Sequence, residues 1–116
     1  MEKNVKVSIL CQIYGKLLTK KQYEIITDYY DNDLSLSEIA ENNKITRQAV
    51  RDIIKKSEKK LFDLEEELSF MKKQINQEKI INNSLDKITK IQKIQSDNKI
   101  NELLEEIKED LKSIIN

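Results

Sequence analysis

The sequence predicts an all-α protein: an N-terminal helix-turn-helix domain without a wing, followed by long C-terminal helices. Three observations carry that prediction. The 116 residues include no Pro and a single Gly, so the usual punctuation of sheets and tight turns is almost absent. Charged residues make up 36% of the chain, and Lys, Glu and Leu, all good helix formers, are abundant. Apolar residues recur at spacings of three and four along most of its length. The length suits one domain with a helical extension, and the pattern divides it into residues 1–62, the helix-turn-helix domain, and residues 63–116, an extension suited to dimerisation.

Val5, Ile9, Ile13 and Leu17, with Leu10 beside them, give a first helix ending near Gly15. Thr19 can cap a second helix whose inner face is Tyr23, Ile26 and Tyr30, stopped by Asp31-Asn32-Asp33. Ser35 and Glu38 have the capping-box spacing, so a short third helix starts at Leu36. Asn42-Asn43-Lys44 supplies a turn, with Asn the residue suited to a left-handed backbone, and Thr46 offers the next N-cap.

The fourth helix has no obvious stop. Val50, Ile54, Ser57, Leu61, Leu64, Leu68, Met71 and Ile75 alternate spacings of four and three, a heptad seam that predicts one helix from Arg47 to about Lys79. Asn82-Asn83-Ser84 interrupts it, with Ser84 as a cap for a segment carrying Leu85, Ile88, Ile91 and Ile94. The phase slips at Ser96-Asp97-Asn98, after which Ile100, Leu104, Ile107, Leu111 and Ile114 form a second seam. The first seam looks too long for the small N-terminal domain to cover, which predicts a homodimer. The rival arrangement folds the second seam back on the first in a monomer.

Composition excludes several classes. No apolar run reaches the roughly 20 residues of a membrane span, and Met1-Glu2-Lys3-Asn4 is not followed by a signal-peptide core, so a cytoplasmic location is expected. Cys11 is the single cysteine and there is no histidine, which leaves no intrachain disulfide and no plausible metal set. Cys11 reads as a small core residue. Without histidine or a Gly-rich phosphate loop, and with carboxylates patterned as helix surface, an enzyme is not expected, and no cofactor is.

The 21 basic and 21 acidic side chains cancel overall but not locally. Lys21 to Glu41 carries one positive and six negative charges, a net of −5, whereas Asn42 to Phe62 carries seven positive and two negative, a net of +5. The sign flips across the Asn42-Asn43-Lys44 turn. Ala40 is the small residue a helix-turn-helix requires at its close crossing, and Ile39, Ile45, Val50 and Ile53 occupy the positions that lock the angle. With those turned inward, Thr46, Arg47, Gln48 and Arg51 face outward as a recognition surface. Arg can grip guanine or phosphate with two donors, Gln can pair with adenine, and a capped helix start can hold a phosphate. Lys55 and Lys56, then Lys59 and Lys60, follow as backbone contacts. The acidic second helix and Asp63-Glu65-Glu66-Glu67 would repel phosphate.

The segment from Tyr14 to Asp52 strongly resembles the YlxM family of small bacterial helix-turn-helix proteins and, more distantly, region 4 of sigma factors. The resemblance rests on Tyr14-Gly15, Leu17-Leu18-Thr19, Gln22, Tyr29-Tyr30, Asp33-Leu34-Ser35-Leu36, Glu38-Ile39-Ala40-Glu41, Arg47-Gln48-Ala49-Val50 and Asp52. The chain departs from the family pattern at Ile53-Ile54-Lys55-Lys56, and the resemblance fades past about Leu68. It implies a regulatory protein associated with the signal recognition particle pathway, with particle components as candidate partners, and leaves DNA and RNA both open as ligands; of the two, DNA is the more expected. Two alternatives stand beside nucleic-acid binding: an adaptor that docks protein through the acidic helix or the seams, and a structural helical dimer.

Overall fold

The computed structural model describes residues 1–115. Among them are six α-helices and no strand: α1 (Lys3–Tyr14), α2 (Lys20–Tyr30), α3 (Leu36–Asn43), α4 (Arg47–Leu68), α5 (Phe70–Ile94) and α6 (Asn98–Ile115), with a 3-10 turn at Gly15–Leu17. The chain forms two compact units, one spanning Met1–Met71 and the other beginning at Lys72.

Helix α1 buries Val7, Leu10, Cys11 and Tyr14. That face is rotated from the expected stripe, for Val5 and Leu17 lie exposed while Ile9 and Ile13 flank the core. Apolar residues occur on most sides of α1, so spacing alone could not select the buried side. Cys11 is a core residue, as expected, and burial, with a smaller contribution from the Asp31 charge, pushes its thiol up to about 11 from 9.0. A hundredfold smaller thiolate fraction follows at neutral pH, so alkylation of the native protein at pH 8 is expected to run about 100-fold slower than in denaturant. The raised value also links stability to pH. The contribution of the neutral buried thiol is complete below pH 9 and is lost as pH rises from there to about 11, because only the unfolded chain ionises in that interval.

Gly15 has an ordinary helical backbone. Its place is explained by space, since a Cβ there would stand 2.7 Å from the Tyr23 ring. Thr19 and Gln22 then close a reciprocal capping box on α2. The buried residues of α2 are Ile25 and Ile26, while Tyr23, expected on the inner face, is exposed. Ile26 joins Val7, Leu10, Cys11, Tyr14, Leu18, Leu61 and Met71 in one core cluster, and Ile25 joins Ile39, Ala40, Val50 and Ile54 in a second. Helix α2 thus holds the α1 side and the α3 side of α4 together.

Two predicted boundaries are corrected. The helix expected from Arg47 to Lys79 breaks at Ser69, whose φ of 57° and ψ of 27° are left-handed. Nothing in the residue type calls for this, and the cause is tertiary. The Tyr14 hydroxyl donates to Glu65 Oε1 at 2.8 Å and accepts from the Phe70 N–H at 3.1 Å, and the same Glu65 oxygen accepts from the Met71 N–H at 2.9 Å. A carboxylate and a phenol from elsewhere in the unit satisfy the first N–H groups of α5, where the helix dipole also favours a negative charge. Replacing Tyr14 by Phe removes both of its hydrogen bonds and is expected to cost about 1–2 kcal/mol, seen as a melting temperature lower by roughly 5–10 °C.

The second correction is at Asn82-Asn83-Ser84, which does not interrupt α5. Asn and Ser are only mild helix breakers, and Ile81 and Ile88 on either side are buried. The expected slip near Ser96 is present. Asp97 Oδ1 accepts from the N–H groups of Lys99 (2.8 Å) and Ile100 (3.2 Å) and opens α6. Gln92 Nε2 donates to Glu105 Oε1 at 2.8 Å and Lys108 Nζ donates to Gln92 Oε1 at 3.3 Å, so α6 returns antiparallel along α5.

The seam of α4 is covered within the first unit. Val50, Ile54, Ser57 and Leu61 are buried, Leu64 and Leu68 pack against the α1 cluster, and Met71 belongs to it, leaving only Ile75 exposed. The premise that the small domain cannot cover this seam is therefore incorrect. Helices α2 and α3 cover Val50 and Ile54, and α1 with α2 covers the seam from Leu61 onward, which periodicity could not assign.

Candidate nucleic-acid interface

Helices α3 and α4 form the predicted helix-turn-helix. Ser35 accepts from the Glu38 N–H and the Glu38 carboxylate accepts from the Ser35 N–H, both at 3.1 Å, so α3 begins with its capping box closed. Those bonds lower the Glu38 pKa. In the turn, Lys44 rather than Asn43 takes the left-handed conformation, with φ of 56° and ψ of 42°. Asn43 acts through its side chain, donating from Nδ2 to the Ile39 carbonyl at 2.7 Å and satisfying one of the carbonyls left over at the helix end. Thr46 then accepts from the Ala49 N–H at 3.0 Å and starts α4.

The crossing is closed by Ile39, Ala40, Val50 and Ile54, all buried, with Ile45 and Ile53 half-buried around them. Ala40 is 6% exposed between the helices. An Ala40→Leu protein is expected to lose about 1–3 kcal/mol through overpacking, and an unchanged melting temperature would mean that this crossing does not carry the packing described.

All six predicted site residues, Thr46, Arg47, Gln48, Arg51, Lys55 and Lys56, lie exposed on α4 while Val50 and Ile54 on its other side are buried. The structure thus brings them together on one solvent-facing stretch of about three turns, with Thr46 as its N-cap. Two features of that stretch were not legible from residue types. Gln48 Nε2 donates to Asp52 Oδ1 at 3.0 Å, so an acidic group stands among the basic ones and engages one of the six predicted residues. Lys59 is paired with Asp63 at 2.7 Å and carries less free charge than Lys55 or Lys56. The i,i+4 spacing of both pairs is the sequence signal that points to them.

The core side of α4 is held by polar contacts as well. Ser57, fully buried, donates to the Ile53 carbonyl at 2.7 Å, which lets a hydroxyl sit among apolar side chains. Tyr30 donates to Glu58, and Lys3 pairs with the same carboxylate at 3.1 Å. Burial, then Glu58, keeps the Tyr30 hydroxyl protonated well above the ordinary phenol range. Glu58 is therefore turned toward α1 and α2 and is neutralised there.

Residues 1–107 match the profile of the UPF0122 family, described as "Putative helix-turn-helix protein, YlxM / p13 like". The chain belongs to the UPF0122 family. Among its relatives, a UPF0122 protein of Clostridium acetobutylicum is 40% identical over 114 residues, 97% of each chain. A UPF0122 protein of Clostridium botulinum is 46% identical over 88 residues, covering 76% of this chain and 81% of the relative. One from Malacoplasma penetrans is 46% identical over 88 residues, 72% of this chain and 82% of the other. The UPF0122 match agrees with the resemblance read from Tyr14 to Asp52 and extends well beyond it. Among the described residues of this UPF0122 chain, no helix is long and apolar enough to cross a membrane, and no group of three His, Cys, Asp or Glu side chains is placed to hold a metal.

Proposed function

We propose that the protein is a nucleic-acid-binding regulator that reads duplex DNA with the first turns of α4. The observation that carries this reading is the exposed row Thr46, Arg47, Gln48, Arg51, Lys55 and Lys56 on a helix whose opposite side is locked in the core. Thr46, Arg47, Gln48 and Arg51 reach base edges or the nearest phosphates, and Lys55 and Lys56 contact the backbone. Reading by Gln48 requires it to leave Asp52, which makes the Gln48–Asp52 hydrogen bond a cost that the correct base must offset. The resemblance to YlxM proteins adds the signal recognition particle pathway as the setting in which such a regulator works, and RNA as the second ligand class.

The test begins with nucleic acid recovered on the protein purified from its own cell extract, identified as DNA or RNA. Affinity for that ligand is then measured across salt. A steep loss of affinity with salt is expected, because each phosphate contact releases a counterion. A specific observation favours one other reading: Glu24, Asp33, Glu38 and Glu41 are exposed on and between α2 and α3, a surface suited to a basic protein partner in an adaptor. In that case no nucleic acid would be retained.

A further inference from the structure

The second unit carries an apolar surface that its own two helices do not cover. Helix α6 has no buried residue, although Ile100, Leu104, Ile107, Leu111 and Ile114 keep an unbroken spacing of four and three. The contacts of Gln92 with Glu105 and Lys108 fix the facing sides of the antiparallel pair. Helical periodicity then turns Ile80, Ile91 and Ile94 on α5 and Ile100, Leu103 and Ile107 on α6 to the same flank. These six side chains are between 44% and 86% exposed. With half-buried Leu104 and Leu111 they form an apolar flank, interrupted on α5 by Asn83 and Lys87, of the few hundred Å² at which exposed apolar surface marks an interaction site.

Charge indicates what fits there. From Lys72 to Ile94, α5 carries six lysines against Glu78 and Asp86, a net of +4, while α6 carries three lysines against five acidic residues, a net of −2. Exposed Lys90 borders the apolar flank on the outer edge of α5, exposed Lys87 stands within it, seven residues from both Ile80 and Ile94, and exposed Glu106 and Asp110 border it on the outer edge of α6. We propose that this flank is a self-association surface on which a second copy of the chain sits face to face. Two symmetric packings are open to such a pair. A two-fold axis perpendicular to the helices places α5 over α5 and lysine against lysine. An axis parallel to the helices places α5 of one copy over α6 of the other, so that Lys90 faces Glu106 and Asp110 across both edges and Lys87 lies over the acidic α6 instead of over a second Lys87, and this is the packing the charges select. The result is a four-helix arrangement made from two hairpins. It does not depend on nucleic-acid binding or on the α4 seam.

Sedimentation equilibrium of the full chain, free of nucleic acid, tests this. A species near twice 13.7 kDa is expected at micromolar concentration, and a 13.7 kDa species at about 100 μM, well above a micromolar Kd, would overturn the proposal. The Leu103→Asp, Ile107→Asp double variant is expected to be monomeric with its helical circular dichroism retained, since both residues are exposed in the single chain. A dimer that survives it would place the contact elsewhere. Should that variant lose helicity, surface charge decides. Lys87→Glu with Lys90→Glu, and Glu106→Lys with Asp110→Lys, are each expected to weaken the dimer at least tenfold, and an equimolar mixture of the two variant chains to restore it as a heterodimer. Dimers unaffected by either charge reversal would reject the α5-over-α6 packing.

Discussion

A protein with Arg47→Ala and Arg51→Ala is expected to bind its DNA site at least about 30-fold more weakly than the parent, with its melting temperature unchanged. Each Arg can make a two-donor contact worth roughly 1–3 kcal/mol, and 2 kcal/mol is about a factor of 30. The stability half of the expectation follows from exposure. Neither guanidinium is buried, and the apolar side of α4 is closed by Val50 and Ile54 beneath them. The measurement also sorts the two arginines by role. A contact to a base edge weakens binding to the cognate site far more than to unrelated duplex, whereas a contact to phosphate weakens both alike and flattens the salt slope by about one. Lys55→Ala and Lys56→Ala are expected to behave in the second way. Unchanged affinity in the double Arg variant would remove the case for α4 as the reading helix.

Replacing Leu61 by Ala is expected to lower the stability of the first unit by about 2–5 kcal/mol and its melting temperature by 10 °C or more. Leu61 is fully buried in the cluster that joins α1 to α4. Removal of its branch leaves a cavity among Val7, Leu10, Ile26 and Met71, side chains on three different helices that cannot all move to fill it. The same result separates two uses of the heptad spacing in α4. As part of a dimer seam, Leu61 would make little difference to an isolated chain and a large difference to association. As part of the core it does the reverse. A shift of less than about 3 °C together with a loss of dimer would restore the seam between copies.

Much of the helix-turn-helix was legible in the sequence because its signals are local. The capping pairs Thr19–Gln22 and Ser35–Glu38, and the single cap at Thr46, work within three residues, so they can be read without knowing what surrounds them. The exposed row on α4 was legible for a related reason: turning Val50 and Ile53 inward leaves the polar residues opposite by geometry, although it is Ile54 that is buried with Val50 and Ile53 that is half-buried beside them. The signs of charge on either side of the turn are likewise a property of the chain alone.

What the sequence by itself determined, then, is the all-α class, the starts of α2, α3 and α4, and which residues of α4 meet solvent. Tertiary structure decided the buried side of α1, the break at Ser69 and the fate of the α4 seam. In α1 the apolar residues surround the helix, so only packing against α2 and α4 could choose Val7, Leu10, Cys11 and Tyr14 for the inside. At Ser69 the chain is locally fit to remain helical, and the Tyr14 hydroxyl, 56 residues away from Phe70, together with the Glu65 carboxylate makes the left-handed turn the better satisfied state. A heptad records only that a stripe must be covered. The occupant is set by which surfaces the rest of the chain leaves free, and here α1, α2 and α3 cover the stripe of α4 while α6 has no fully buried residue in its own.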